Sequence, residues 1–411
     1  MHLVVFEASR WASMAPLSLN RPVFTLLSGA SSLLEKQIQH VQPLRVTLWV
    51  RPQLVEYCRK HVVPSLSLPV SINTPLDDEP ALLSSGRTLH FSQFPRPTDP
   101  MVTVDDGNLI RQAYAKMPGL TWEDAMHRTD RWLELLKLPR TSDQTRLPEY
   151  LWDLVHWNEE AIVADAIQMT DRPRAPADCR CQIIAEQDVI VSPKARLSPG
   201  CVLDASKGPI VIDAGALVGA NSVLQGPVYL GRYSSVSPLS FIHSGTSIGP
   251  MCKVGGEVAA SIFLGYSNKA HEGFVGHSYI GQWVNLGAGT TTSNLKNTYG
   301  PIKMRIGSKE IETDRRFLGA MIGDHTKLAI GTRLMTGSYI GFCSLLAGSD
   351  LPPRFIPSYT FWTDAGSQPY KLDKAREMMK QMYSRRGRMW DEEDELQLKL
   401  AMESAKEAEA V

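Results

Sequence analysis

The fold is decided by residues 212–254, which read IDAGALVGANSVLQGPVYLGRYSSVSPLSFIHSGTSIGPMCKV. An aliphatic residue falls at every sixth position without a miss: Ile212, Val218, Leu224, Leu230, Val236, Ile242, Ile248 and Val254. Chance gives this on the order of once in 65,000 when about a quarter of residues are aliphatic. A period of six fits neither a helix nor a simple strand. It is typical of a left-handed parallel β-helix, in which each short strand turns a corner and stacks its apolar residue on the coil below.

The six-residue register extends well beyond this stretch. It returns at Ile322, Leu328, Leu334, Ile340 and Leu346, and an earlier part contains Val191, Leu197 and Leu203. The β-helix is therefore predicted over residues 179–350, and the prolines at 352, 353 and 357 are expected to end it. Two interruptions, Val254–Ile280 and Gly289–Ile322, are expected to loop outward, because a packed coil has no room for extra residues. Loops on a rigid scaffold commonly carry binding residues.

The preceding residues, 1–170, are predicted to form a separate α/β domain. Strands at 3–6, 46–50 and 68–72 alternate with helices at 31–41 and 52–62. This βαβαβ pattern indicates a Rossmann-like parallel sheet with ligands at the carboxyl ends of the strands. A further helix is predicted from Pro148 to Asp165. The segment 171–178 is interpreted as a linker, and 351–411 as a C-terminal extension that is helical or partly disordered.

Composition narrows the class of protein. The 411 residues suffice for two domains, and 43 basic side chains balance 43 acidic ones, so charge gives no reason to expect a nucleic acid or an anionic membrane as partner. No apolar run approaches the roughly 20 residues of a membrane span. The start lacks the basic region of a secretion signal, and the six scattered cysteines fit packed thiols. We therefore expect a cytoplasmic protein.

One segment carries a chemical motif. Residues 266–294 read YSNKAHEGFVGHSYIGQWVNLGAGTTTSN and contain His271, Asn285 and Asn294. The segment resembles the acetyltransferase site of bifunctional N-acetylglucosamine-1-phosphate uridyltransferases, whose motif is Ser-Lys-Ala-x-His, Val-Asn-Ile-Gly-Ala-Gly-Thr and then Asn. The intervals between the histidine and the two asparagines agree with that motif. The first domain resembles the short nucleotidyltransferase domain of a branch of that family, through PLSLNRPV at 16–23, Gly29, Glu35-Lys36 and YLWDLV at 150–155.

The resemblance implies acetyl transfer from acetyl-CoA to an amino sugar phosphate. His271 would be the general base, since imidazole changes protonation near neutral pH. Lys269 would face the substrate phosphate, and Asn285 would hold the sugar or order the site. A homotrimer is implied, because acyltransferases of this kind build each site between neighbouring prisms.

The coenzyme would be held by residues further along the motif. The resemblance assigns the acetyl-CoA arm to Asn294. The backbone N–H groups of the run 287–289, which includes Ala288 and Gly289, are expected to stabilise the oxyanion of the tetrahedral intermediate.

For the first domain the resemblance implies uridylyl or thymidylyl transfer, with Mg²⁺ as a cofactor. Arg21 and Asn73 are the candidate contacts to substrate or nucleotide. The metal ligands stay undetermined, since Asp77, Asp78, Asp105 and Asp106 all qualify. The loop 7–16 contains no glycine, whereas a phosphate cradle after the first strand usually needs bare backbone.

Departures from the motif leave alternatives open. Compared with the family motif, Phe274 stands in place of a tyrosine, residues 259–261 contain no lysine where one is expected, and His243 stands in place of an arginine. The identity of the acceptor sugar is therefore undetermined, while acyl transfer is retained as the reaction class. His243, His271 and His277 are also compatible with a zinc site between subunits. Asn285 and Asn294 are equally compatible with turn capping. A non-catalytic nucleotide-sugar sensor or scaffold, derived from such an enzyme, is the alternative function.

Overall fold

The computed structural model describes residues 1–7, 9–105, 109–170 and 180–410. They form two compact units. The first comprises 1–14, 20–26 and 31–149, and the second comprises 15–19, 27–30 and 150 onward. The division falls before Tyr150, whereas the sequence predicts it at residue 170. The predicted linker, 171–178, lies outside the described residues.

The first unit is built on a six-stranded sheet. Its strands, numbered here in chain order, are β1 His2–Phe6, β2 Arg45–Trp49, β3 Val70–Ile72, β4 Ala81–Ser85, β5 Met101–Asp105 and β6 Leu109–Ala115. Their order is β3-β2-β1-β4-β6-β5. The first four are parallel, while β6 is antiparallel to both β4 and β5. The predicted Rossmann-like βαβαβ start is confirmed. Its topological switch point lies between β1 and β4.

Both faces of β1 are buried, which explains its uninterrupted apolar sequence. Leu3 and Val5 pack into one hydrophobic cluster, and Val4 and Phe6 pack into the cluster on the other face. Alternate side chains of a strand point to opposite faces, so a strand covered on both sides is apolar at every position.

Short helices flank this sheet. They are Ser9–Met14, Val23–Thr25, Leu33–Val41, Pro52–Leu54, Val55–Tyr57, Cys58–Val62, Val63–Ser65, Trp122–His127, Asp130–Leu133 and Glu134–Lys137. The helix Leu33–Val41 begins at a capping box, in which Ser32 accepts from the Glu35 N–H and Glu35 accepts from the Ser32 N–H. The predicted helix over 52–62 is present but is divided into successive 3₁₀, α and π turns.

Two helices, Leu151–His156 and Asn158–Ile167, replace the single predicted one and belong to the second unit. The Asn158 carboxamide donates to the Gly245 carbonyl at 2.8 Å and to the Ser247 hydroxyl at 3.0 Å. Ile162 shares a hydrophobic cluster with Tyr229. These contacts attach the second helix to the β-helix, which is why the boundary falls before it.

The rest of the second unit is a three-sided parallel β-helix, as predicted. The strands of its first face are Val189–Val191, Ile210–Ile212, Val228–Leu230, Thr246–Ile248, Ile262–Gly265, Tyr279–Gln282, Ala320–Ile322, Ser338–Ile340 and Phe355–Ile356. Those of its second face are Arg196–Leu197, Leu217–Val218, Ser235–Val236, Lys253–Val254, Asn268–Lys269, Asn285–Leu286, Lys327–Leu328, Leu345–Leu346, Thr360–Thr363 and Gly366–Pro369. Those of its third face are Gln182–Ile184, Val202–Asp204, Val223–Gln225, Phe241–Ile242, Glu257–Ala259 and Phe274–Gly276, and the pair Thr291–Thr292 and Arg333–Leu334 continues it.

Stacking of equivalent residues makes the core. Along the first face Ile212 pairs with Leu230 and Leu230 pairs with Ile248, each on the next coil. All eight aliphatic residues of the 212–254 register are at most 1 % exposed and lie in one cluster. The residues of the six-residue pattern are thus the residues that form the core of the prism.

The first interruption of the register does not form an outward loop, so that expectation is wrong. The coil from Ser247 to Ile262 is shorter than the regular coil that precedes it, from Tyr229 to Ser247. Most of the shortening is taken up at the corner that consists of Gly255 and Gly256, where Gly256 adopts a φ of +72°, and the rest at the next corner, between Val258 and Phe263. A left-handed conformation at glycine lets the chain turn with fewer residues.

The second interruption does leave the coil. Tyr279 of one coil pairs with Met321 of the next. Much of the intervening chain forms an antiparallel hairpin, whose strands are Lys303–Ile306 and Lys309–Glu312.

The prolines do not end the β-helix at residue 350. Strands 355–356 and 360–363 continue the first and second faces. Pro352, Pro353 and Pro357 lie between strands, where no ladder hydrogen bond is lost. Two helices follow, the tail helix Leu372–Ser384 and Glu392–Ala408, so the C-terminal extension is helical. Within the described ranges no helix combines the length and apolar composition needed to cross a membrane.

Candidate functional site

The predicted site residues of the β-helix lie on different sides of the prism. His271 lies at the corner between the second-face strand 268–269 and the third-face strand 274–276. Asn285 lies on the second face itself. Asn294 is bonded to His277, which lies at the corner between the third and first faces. Within the described chain Asn294 therefore lies at a different corner from His271, whereas Asn285 precedes the corner that stacks on it.

The corner that carries His271 is tightly built and leaves the imidazole exposed. A Cβ at Gly273 would clash with the Thr290 carbonyl oxygen, and one at Gly256 would lie 3.0 Å from that of His271. Only glycine permits this close stacking of successive corners. The His271 side chain forms no hydrogen bond with any residue in the described part of the chain.

Lys269 does not face a substrate phosphate, which corrects the expectation from the motif. Its side chain is 1 % exposed, in the register position of Val254 one coil earlier. Its ammonium donates to the Gly255 carbonyl at 2.7 Å and to the His271 carbonyl at 2.9 Å. Burial lowers the pKa of Lys269 to about 8, and the nearby Glu272 carboxylate opposes that shift. The lysine is a structural support for the His271 corner.

One backbone N–H group of the glycine-rich run 287–289 is not hydrogen-bonded to a neighbouring coil. The Gly287 N–H donates to the Leu328 carbonyl at 3.0 Å, and the Gly289 N–H donates to the Glu272 carbonyl at 3.2 Å. The Ala288 N–H has no hydrogen-bond partner among the described residues. Since Gly289 bonds the residue next to His271, this amide lies on the coil stacked directly against the His271 corner.

Asn294 and His277 bind each other. The Asn294 carboxamide donates to the His277 Nδ1 at 2.9 Å, and the His277 ring stacks on Phe317 with centroids 5.1 Å apart. Burial, with a smaller contribution from His156, lowers the pKa of His277 to about 4. The imidazole is therefore neutral at pH 7, as an acceptor Nδ1 requires.

His243, the third histidine of the alternative zinc site, also has a side-chain partner. His243 Nε2 lies 3.0 Å from the Glu257 carboxylate. Within the described ranges no group of three or more His, Cys, Asp or Glu residues is placed to hold a metal ion.

Asn285 projects into a cleft that the sequence did not predict. The cleft has a volume of about 450 Å³ and lies between the second face and the tail helix. The carboxamide of Asn285 forms no hydrogen bond within the described chain. The tail helix is amphipathic, with Ala375, Met379 and Tyr383 buried one turn apart, which explains why it packs there.

In the first unit, the two predicted substrate-binding side chains, Asn73 and Arg21, form hydrogen bonds with other residues of the same unit. Asn73 follows β3, as expected, but its carboxamide accepts from the Val50 N–H at 2.8 Å and donates to the Val50 carbonyl at 2.9 Å. Arg21 is 2 % exposed and lies 3.3 Å from the Tyr57 hydroxyl. Both side chains are hydrogen-bonded within the first unit, and a contact of either one with substrate stays a prediction.

A buried ion pair that the sequence did not predict lies at the carboxyl end of β1. Arg51 donates to both carboxylate oxygens of Glu7, at 2.9 and 3.1 Å, and its guanidinium lies 3.7 Å from the Trp11 ring centroid. All three residues are buried. Beside them, at the switch point, the cavity lined by Phe6 and Ser85 has a volume of about 20 Å³, room for one water molecule.

The candidate Mg²⁺ carboxylates do not converge. Asp77 pairs with Arg45 at 2.6 Å, Asp78 with Lys116 at 3.0 Å, and Asp105 with Arg111 at 3.5 Å. Asp106 lies outside the described residues. Since each described carboxylate is held by a cation, these residues do not fit a magnesium site.

Comparison with known proteins agrees with the motif. The family model described as sugar nucleotidyl transferase matches residues 3–173. The bifunctional protein GlmU of Methanocaldococcus jannaschii is 38 % identical over 157 residues, which are 38 % of each chain. The chain resembles the bifunctional GlmU proteins. This confirms the resemblance stated from the motifs.

Two further matches illustrate the range of similarity. A bifunctional sugar-1-phosphate nucleotidylyltransferase/acetyltransferase of Sulfurisphaera tokodaii is 34 % identical over 137 residues, 33 % of this chain and 34 % of that protein. The chain thus spans little more than a third of the length of the curated relatives it matches. The solved UDP-N-acetylglucosamine O-acyltransferase of Moraxella catarrhalis is 14 % identical, with a TM-score of 0.28, over 56 % of this chain and 98 % of that one.

Proposed function

We propose that this chain transfers the acetyl group of acetyl-CoA to the amino group of a sugar phosphate, with His271 as the general base. One observation carries the proposal. The exposed imidazole of His271 lies on a corner against which the next coil presents the Ala288 N–H, an amide with no partner among the described residues. A base and an oxyanion donor on neighbouring corners are the two groups that acyl transfer requires.

The chemistry balances with these two groups. The amine nitrogen attacks the thioester carbonyl carbon while the His271 imidazole takes its proton. The carbonyl oxygen becomes an oxyanion that accepts a hydrogen bond from the Ala288 N–H. When the tetrahedral intermediate collapses, the C–S bond breaks, and the imidazolium returns the proton to the departing thiolate. The products are the N-acetyl sugar phosphate and coenzyme A.

A second copy of the chain is part of the proposal. Asn294 is held by His277 at a different corner from His271 on one chain, so a contact of Asn294 with the coenzyme arm at the His271 site requires a neighbouring prism. Leu239 and Ile330 are 78 % and 79 % exposed on the same edge, two coils to either side of His271. Apolar side chains that flank a polar centre are typical of an interface. We propose a homotrimer, the closed ring that such an edge-to-face contact forms.

The relatives support the reaction class, since the Sulfurisphaera protein carries both nucleotidylyltransferase and acetyltransferase in its name. Acetyl-CoA as the donor and a sugar phosphate as the acceptor follow from that resemblance together with the His271 motif. We expect the reaction in the cytoplasm.

Nucleotidyl transfer by the first unit is the second candidate. The match of residues 3–173 to sugar nucleotidyl transferases favours it. The buried Glu7–Arg51 pair at the carboxyl end of β1 opposes it in this conformation. Release of pyrophosphate from UTP or dTTP with a panel of sugar 1-phosphates tests it.

The test of the main proposal is thiol release from acetyl-CoA with a panel of amino sugar phosphates. Release that depends on the acceptor, with N-acetylated product found by mass spectrometry, is the expected result. Acceptor-independent hydrolysis, or silence with the whole panel together with no stabilisation of the protein by acetyl-CoA, would favour the non-catalytic sensor or scaffold.

A further inference from the structure

The cleft beneath the tail helix has a built polar wall. On four successive coils, the residue just before the buried core position projects outward from the second face, and the strand register stacks these four residues: Lys253, Asn268, Asn285 and Lys327. Coils repeat at about 4.8 Å, so the column is about 14 Å long. It carries a cation at each end and carboxamides between them.

The opposite wall adds two more cations. Arg385 and Arg386 follow the end of the tail helix and line the same cleft. Arg386 donates to the Asn268 carboxamide oxygen at 3.0 Å, which ties this wall to the column. Tyr266 and Trp283, stacked with centroids 4.5 Å apart, supply an aromatic surface.

The charges of the cleft are not balanced by its lining. Lys253, Lys327, Arg385 and Arg386 line it, and no carboxylate of the described chain does so. The Lys253 ammonium and the Arg385 guanidinium have neither a hydrogen bond nor an ion pair with any described residue. Four cations around one cavity repel one another, and a multiply charged anion removes that repulsion.

One of the four cations is held in place. The Lys327 ammonium donates to the Trp283 carbonyl at 2.6 Å and to the His325 carbonyl at 3.1 Å. Burial lowers its pKa to about 8. A fixed, partly desolvated ammonium acts as a point charge of strong local field, while the Lys253 and Arg385 side chains remain able to contact a ligand.

We propose that this cleft binds a phosphate-bearing small molecule with at least two negative charges, such as a diphosphate. Arginine and lysine side chains that converge with a carboxamide match the oxygens of phosphate groups. The cavity volume lies in the range of small-molecule sites. The cleft shares Asn285 with the proposed sugar contact, but its four cations do not lie at the His271 corner, and anion binding by them does not depend on acetyl transfer. Two sources have this chemistry, the phosphates of coenzyme A and those of a free nucleotide or pyrophosphate.

Calorimetric titration of the full chain with pyrophosphate, ADP and coenzyme A tests the site. The wild type should bind, and Lys253→Gln/Arg385→Gln should bind about tenfold more weakly or worse, since charged hydrogen bonds are lost. The matched control is Lys309→Gln/Lys374→Gln, which removes the same charge at exposed positions and should bind as the wild type does. Unchanged melting temperatures establish that the variants fold.

The ligand arms identify the source. If Lys253→Gln/Arg385→Gln weakens the binding of all three ligands, the cleft binds phosphate groups in general; if it weakens the binding of coenzyme A alone, the cleft belongs to the coenzyme. His271→Ala should bind pyrophosphate and ADP as the wild type does. The proposal for the cleft therefore holds even if acetyl transfer is not observed. Absence of saturable binding in the wild type, an equal loss in the charge-matched control, or a parallel loss in His271→Ala would overturn the proposal.

Discussion

The ammonium of Lys269 supports the main chain of His271, donating to its carbonyl oxygen at 2.9 Å from inside the prism. The same ammonium bonds Gly255 on the coil before, at 2.7 Å. A lysine in a core position thus joins the corner that carries the proposed base to the neighbouring corner. In this structure the ammonium of the motif's lysine is directed to these two carbonyl oxygens and not to solvent.

Replacing Lys269 by methionine should weaken this corner. The methionine retains the volume but leaves two buried carbonyls without their donor, which costs about 1–3 kcal/mol of unfolding free energy. Urea unfolding measures the loss, and the acetyl transfer rate should fall with it. Lys309→Met is the exposed control. A variant as stable and active as the wild type would show that these hydrogen bonds are dispensable.

The pH dependence of stability should show the burial of Lys269. Its pKa is lowered from 10.5 to about 8, so between these values the unfolded chain binds more protons than the folded one. The unfolding free energy that Lys269 contributes therefore rises with pH across this window, and the gain is lost as pH falls back to about 8. Denaturation curves of wild type and Lys269→Met should diverge above pH 8. Parallel curves would contradict the burial of this amine.

His277 should act in the acid range. Its pKa is lowered from 6.5 to about 4, so the unfolded chain binds the extra proton between these values. Its contribution to stability is complete above pH 6.5 and is lost as pH falls towards 4. The difference in unfolding free energy between wild type and His277→Gln should shrink from pH 7 to pH 4.5. An NMR titration midpoint near 6.5 for this imidazole would refute the assignment.

The Glu7–Arg51 pair should be costly to break from one side. Glu7→Gln leaves a buried guanidinium without its counter-charge and should cost about 3–5 kcal/mol. Glu7→Leu/Arg51→Leu removes both charges and should recover part of that loss. Chemical unfolding followed by circular dichroism measures both. If the single variant proves as stable as the wild type, the pair does not hold the end of β1.

Mixing two inactive variants tests the site between copies. His271→Ala and Asn294→Ala should each lose most acetyl transfer as homotrimers. In co-refolded mixtures, about a quarter of the sites would combine an intact histidine with an intact asparagine from the next copy, and activity should return to about that level. No recovery in trimers shown to be mixed would place both residues in the same chain's site.

The sequence predicts the β-helix because six-residue spacing of aliphatic side chains has no other common structural cause, and the eight aliphatic residues of that spacing from Ile212 to Val254 all lie in the core. It misplaces the first loop and the end. The six-residue register breaks after Val254 because glycines there form a shorter corner. Pro352 and Pro357 lie between strands, so they do not end the β-helix. Periodicity shows which residues point inward but does not show how many residues a corner needs.

The candidate site was only partly predictable. The motif locates His271 and the Ala288 corner, but it does not distinguish the outward-facing Asn285 from the inward-facing Lys269, because the interrupted register hides their phase. The cationic column had a visible signal, since Lys253, Asn268, Asn285 and Lys327 each precede a core position. Its other wall comes from a helix that is distant in sequence, which no local pattern indicates.

The role of His271 as general base can be measured by acetyl transfer and coenzyme binding of the variant His271→Ala. Thiol release with the best amino sugar phosphate should fall at least about a hundredfold, as expected for loss of a general base, while acetyl-CoA affinity and melting temperature stay those of the wild type. His61→Ala, which changes an exposed histidine of the first unit, should keep full activity. Undiminished turnover by His271→Ala would contradict the account.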